Sequence, residues 1–162
     1  MGGSQLEKPP VVETTMLIRR PVAEVFRAFT DPAITSRFWF TDSSGPVEPG
    51  AELRWTWKMY DVSVTAKVKE FEQDRRFVIE WQNGPKPTTW EMRFTPRSED
   101  ETRVDLTETG FGGADADAVV AWALGSMGGF TEALAAAKAL LEHDVVLTLV
   151  ADRHPDGLPG AS

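Results

Sequence analysis

The sequence predicts an α+β domain in which one antiparallel sheet with a single apolar face is covered by one long helix. Three observations predict it. Between residues 51 and 111, five short segments carry apolar side chains at every second position, the period of a half-buried strand. Short turn-prone breaks separate them, as in antiparallel hairpins. One helical stretch then follows at about residues 115–142, the only segment long enough to cover such a meander. The inward positions are rich in Trp and Met, which marks a hollow to be filled as well as a core.

Taken in order, residues 1–10 are polar with paired prolines and read as a disordered or extended tail. Residues 11–20 (VVETTMLIRR) read as a first strand. Pro21 is expected at the first helical position, where its missing N–H costs nothing. Val22, Val25, Phe26 and Phe29 follow at i, i+3, i+4 and i+7, an amphipathic helix. Asp31 and Pro32 cap and open a short second helix, with Ile34 and Phe38 on one face. Residues 41–50 (TDSSGPVEPG) read as a turn-rich connection. The meander then alternates through Leu53, Trp55, Trp57 and Met59, then Val62, Val64, Ala66 and Val68. Phe77, Ile79 and Trp81 come next, then Trp90, Met92 and Phe94, then Val104, Leu106 and Glu108. Turns are expected at 59–61, 73–75, 83–85 and 98–101. Asp115 and Asp117 cap the long helix and complement its positive end. The expected organisation is one domain over residues 11–151 and a flexible Pro/Gly-rich tail over 152–162. The apolar run 145–151 (VVLTLVA) is expected to be buried, as a strand or arm on its own domain or across a homodimer interface.

The composition narrows the function. Seventeen basic against twenty-five acidic side chains give a net charge of −8 over 162 residues. Nucleic-acid and anionic-membrane binders need a basic footprint, so neither class of partner is expected. Without cysteine there is no thiol catalysis, thiolate metal site or disulfide. The first residues lack the apolar core of a signal peptide, and no run of eighteen apolar residues occurs, so a cytoplasmic protein without a membrane span is expected.

Four pieces of the chain carry a resemblance. They are Arg20-Pro21-Val22 through Val25-Phe26-Arg27-Ala28-Phe29-Thr30-Asp31-Pro32, then Phe38-Trp39-Phe40, then Pro49-Gly50, then Gly128-Gly129-Phe130 through Leu140-Leu141-Glu142-His143. With the order of elements, these resemble the helix-grip or START-like superfamily (SRPBCC), to which the birch-pollen allergen also belongs. Within it, the chain looks most like the bacterial homologues of the activator of the heat-shock protein 90 ATPase. The resemblance covers about residues 11–150 and implies a curved sheet gripping the last helix, with a cavity between them. It implies no single activity, because one scaffold hosts many. Asp144 stands where the family pattern has glycine, so a differently built helix end is expected there.

The candidate site follows from strand parity. Trp55, Trp57, Trp81 and Trp90 should share the concave face, each presenting one N–H. Trp39, from the aromatic group, and Trp122 and Phe130, from the last helix, complete the aromatic set. Met59, Met92 and Met127 would soften the wall, unless they only fill gaps in the core. Gly125, Gly128 and Gly129 imply a kink that opens the cavity mouth, or a close approach of the helix to the sheet. Tyr60 and Thr14 are polar candidates. Glu108 continues the inward parity of Val104 and Leu106 and could serve as acid, base or polar anchor. The alternative, a strand that ends first and leaves Glu108 in solvent at the rim, fits the rarity of buried unpaired carboxylates.

Catalytic motifs are missing. His143 and His154 have no metal-ligand spacing, and no nucleophile elbow or phosphate-binding loop occurs. Neither a metal nor another cofactor is expected. The sequence therefore reads as a binder of a small apolar or amphipathic ligand without chemistry of its own. Two rivals stand beside it: a co-chaperone-like activator of an ATPase acting through its surface, and a cyclase- or hydratase-like enzyme using the same cavity.

Overall fold

A computed structural model describes residues 7–158. The chain runs β1 (Val12–Ile18), α1 (Val22–Thr30), α2 (Pro32–Thr35), β2 (Asp42–Ser43), β3 (Glu52–Trp57) and β4 (Val62–Glu72). It continues through β5 (Arg76–Trp81), β6 (Thr88–Ser98), β7 (Glu101–Thr109), α3 (Ala116–His143) and α4 (Leu149–Arg153). The strands form one curved seven-stranded antiparallel sheet in the order β1-β7-β6-β5-β4-β3-β2, with α3 across its concave face. This is the helix-grip architecture.

The register follows the hydrophobic pattern. Trp55 pairs with Val64, Ala66 with Trp81, Ile79 with Trp90, and Trp90 with Glu108. These residues therefore share one face, and all are buried. The register shifts twice, between Val68 and Glu70 and between Pro96 and Ser98. At the first of these, Lys69 is the extra residue, and Glu70 is turned outward onto Arg76 at 3.0 Å. Arg76 also meets Glu72 and Glu91, and hydrogen bonds to Glu70 first, then Glu72 and Glu91, raise its already high pKa.

α1 buries Val25, Phe26, Ala28 and Phe29 against the β6 side of the sheet, with the Phe26 ring edge-on to Phe94 at 5.0 Å. Asp31 caps α2 by accepting from the Ala33 N–H at 3.0 Å. Pro21 is the N-cap of α1 rather than its first helical residue, its carbonyl accepting from Glu24 and Val25. Asp115 caps α3 through the Ala118 N–H at 2.9 Å. By length and composition α3 could cross a membrane, with a mean hydropathy of 1.3, but here it is the core helix of the domain.

The structure departs from the sequence pattern in four places. The 41–50 connection contains β2, a two-residue strand on the outer edge beside β3. Asp144 does close α3 in the left-handed conformation (φ 52°), its N–H reaching the carbonyls of Ala139 and Leu140, so the helix end is built as glycine would build it. The run 145–151 is not a strand: Val145, Val146 and Leu147 are exposed, and a helical turn begins at Leu149. Only Leu149 and Val150 pack against the core. α4 thus lies across the boundary expected between domain and flexible tail; residues 1–6 and 159–162 of the expected tails lie outside the described residues.

Candidate functional site

A cavity of about 590 Å³ lies between the sheet and the N-terminal half of α3. β3 and β5 contribute Trp57 and Trp81, the segment after α2 contributes Trp39, and α3 contributes Trp122, Ser126, Gly129 and Phe130. Tyr60 and α4 close one end. Trp39 is the hub of the aromatic wall, with ring centroids 5.5 Å from Trp57, 6.1 Å from Trp81 and 5.8 Å from Phe130. Trp81 stacks on Phe130 at 5.6 Å. Such walls suit an apolar guest held by large flat surfaces.

The indoles divide by depth. Trp39, Trp57, Trp81 and Trp122 line the cavity, whereas Trp55 and Trp90, each 1% exposed, belong to the core beneath. Strand parity sets which face a side chain takes but not how deep it lies. The Trp39 ring packs at 5.4 Å from Trp55 and 6.0 Å from Trp90, covering both. Met92 is likewise sealed in the core. Met59 and Met127 are exposed, outside the cavity. The reason for Met127 is helical phase: it shares a stripe with Val120 and Leu124, which points away from the face that buries Val119, Ala123 and Phe130.

Glu108 does not reach solvent. It is fully buried, because β7 continues its inward alternation to the strand end. Its Oε2 accepts from Thr88 Oγ1 at 2.6 Å and from Trp81 Nε1 at 3.2 Å, and its Oε1 accepts from Ser126 Oγ. Three donors replace the water that burial removes. Ser126 and Thr88 carry this network and drew no attention in the sequence as partners of Glu108; their spacing from it, across two strands and a helix, leaves no local signal. Thr14, the other hydroxyl candidate, pairs with Thr131 at 2.7 Å and fastens β1 to α3.

The glycines of α3 have a different role from either expectation. α3 runs unbroken through them. A Cβ on Gly125 or Gly129 would meet nothing within 4 Å, and both residues line the cavity. A Cβ on Gly128 would collide with the Arg153 guanidinium. Arg153 pairs with Glu132 at 2.9 Å, and Tyr60 Oη donates to the Val150 carbonyl, so α4 is tied down from both sides. Burial pushes the Tyr60 hydroxyl pKa up, against the opposing pull of a backbone hydrogen bond at His154. Among the described residues no cluster of three His, Asp or Glu side chains could hold a metal ion.

Among curated proteins none matches this chain. Solved structures do. Protein SSP2350 from Staphylococcus saprophyticus is 28% identical at a TM-score of 0.72, over 85% of this chain and 96% of that one. A dimeric Aha1 from Colwellia psychrerythraea shares the fold at 14% identity and a TM-score of 0.69, over 83% of this chain and 97% of that one. An Hsp90 activator from Plasmodium falciparum, 18% identical, matches 65% of this chain and 76% of its own length at a TM-score of 0.54. The model of the Activator of Hsp90 ATPase homolog 1-like proteins matches residues 19–142, and the chain belongs to that family.

Proposed function

We propose that the protein binds a small apolar or amphipathic molecule in the cavity under α3, without chemistry of its own. The observation that carries this reading is a space of about 590 Å³ walled by Trp39, Trp57, Trp81, Trp122 and Phe130 beside a side-chain-free face of the helix. The space is open to solvent rather than a sealed void, so a guest can reach the broad apolar ring surfaces at its wall. The test uses Gly129→Leu, which places a side chain in the open space and improves helix propensity. Nile red should bind the native protein with a rise in its emission and a fall in Trp emission. The variant should keep its fold by circular dichroism and lose at least about tenfold in affinity. Unchanged binding by a folded variant would place the dye elsewhere and sink the reading.

A second reading, contact with an ATPase chaperone through the surface, draws on the family and on the exposed stripe Val120, Leu124 and Met127. Leu124→Glu should then abolish ATP-dependent pulldown of that chaperone while leaving Nile red binding intact. A homodimer formed through the exposed Val145, Val146 and Leu147 belongs with this reading, and truncation after Asp144 checks it by sedimentation. A cytoplasmic setting accompanies both readings.

A further inference from the structure

Ser126 sits in the cavity wall between Gly125 and Gly129, the two helix positions that leave open space where a side chain would be. Its hydroxyl proton is committed to Glu108 Oε1 behind it. A serine has one O–H and two lone pairs, so this commitment leaves only acceptor capacity for the cavity side. The Glu108 carboxyl in turn cannot rotate freely, because Thr88 and Trp81 donate to its other oxygen. The network therefore fixes the polarity of the hydroxyl. Of the other polar groups around the cavity, the Tyr60 O–H is spent on Val150, Arg153 is paired with Glu132 and Ser63 with Thr56, while Gln82 and Asn83 are exposed and His154 lies beside Tyr60.

We infer that the ligand is a neutral aromatic or polycyclic molecule whose hydroxyl or N–H donates to Ser126 Oγ, and that Ser126 with Glu108 behind it selects against carboxylates. This rests on the binding reading proposed above and adds the chemical class of the guest. The glycine slot admits the guest's edge to the helix backbone, the indoles hold its faces, and Ser126 receives its one donor. A carboxylate set against Ser126 would place lone pairs against lone pairs.

The test compares three probes of one shape at pH 7, followed by Trp quenching: 2-naphthol, 2-methoxynaphthalene and 2-naphthoate. Naphthol should bind about tenfold tighter than either of the others, the worth of one well-placed hydrogen bond. Ser126→Ala should erase the preference for naphthol while leaving methoxynaphthalene affinity within about twofold. Glu108→Gln carries the sharper outcome. The Thr88 and Trp81 donors would draw the amide oxygen, leaving the amide N–H to face Ser126, whose own proton then turns to the cavity. Methoxynaphthalene should then bind tighter than it does to the native protein and draw level with naphthol, since either oxygen can accept from Ser126, a gain that mere loosening of the core would not produce. If either variant fails to fold, the ranking of the probes on the native protein still decides. Equal binding of naphthol and methoxynaphthalene, or tighter binding of naphthoate, overturns the inference while the cavity reading stands. No binding of any probe, with Nile red also excluded, overturns both.

Discussion

Along its C-terminal half α3 buries Ala133, Leu134, Ala136, Ala137 and Leu140, whereas along its N-terminal half Val120, Leu124 and Met127 face water and Gly125 and Gly129 face the cavity. Alanine at three of the buried positions lets the first region lie close on β1, where polar ties pin it. Lys138 Nζ donates to the Leu17 carbonyl at 2.7 Å and to Glu142 at 2.5 Å, and Glu142 also accepts from the Arg19 N–H at 2.9 Å. The opposite half stands over large rings and is held by buried Val119, Ala123 and Phe130, by one buried polar network and by α4. One helix thus serves as an anchor at one end and as the roof of a cavity at the other. The difference lies in side-chain size on both sides of the contact: small residues bring backbones together, and large rings under glycine keep them apart.

The largest expected effect that breaks this contrast is at the anchor. Leu134 is fully buried, and Leu134→Ala should cost about 2–5 kcal/mol by denaturant titration, with Nile red affinity at low denaturant unchanged. A comparable loss of dye binding would mean that the two halves are not separable.

Glu142→Gln comes next. Burial raises the Glu142 pKa, but the Arg19 N–H and Lys138 outweigh it and hold the carboxyl below its ordinary range. A carboxyl lowered by folding contributes stability that is fully present above its unfolded pKa of about 4.3 and lost as pH falls through its folded value. The variant should lose about 1–3 kcal/mol at pH 7 and show a flatter stability profile below about pH 4. A parallel profile, displaced but with the same acid slope, would assign the acid sensitivity to other carboxyls.

The smallest effects sharpen the contrast within the roof itself. Gly125→Ala should stabilise by up to about 1 kcal/mol, because a methyl meets no neighbour there and glycine is the poorer helix former. Gly128→Ala, three residues on, must displace Arg153 and loosen its pair with Glu132. It should show no net gain and faster proteolysis at residues 145–153. Equal melting temperatures for the two variants would mean that Arg153 moves away without consequence.

The meander, its turns and the bounds of α3 were legible because strand and helix periods are local properties of the chain. Trp57 and Trp81 could be placed on the concave face by parity alone. Depth could not, since Trp39 arrives from a segment without periodicity and decides which indoles are covered. The burial of Glu108 was legible as parity, but its satisfaction required Ser126 and Thr88 from other elements. The glycines of α3 were visible as an anomaly, while the guanidinium that occupies the notch at Gly128 lies 25 residues further on. The run 145–151 misled because its β-branched residues match a strand, yet neither edge strand, β1 or β2, pairs with it.

The strand order also has a consequence during synthesis. β1 pairs only with β7, Val12 lying opposite Glu108 and Ile18 opposite Thr102. α1, next to emerge, rests on β6 and β7, so Phe26 lacks its Phe94 partner until that strand exists. At translation speeds of roughly 5–20 residues per second, the β1–α1 segment (residues 12–30) waits for several seconds as a sticky, unpaired segment. Pairing at such sequence distance also slows refolding of the finished chain, to the millisecond-to-second range of sheet-dominated domains. The β1–α1 segment therefore calls for protection by the cell's own folding machinery until β6 and β7 emerge.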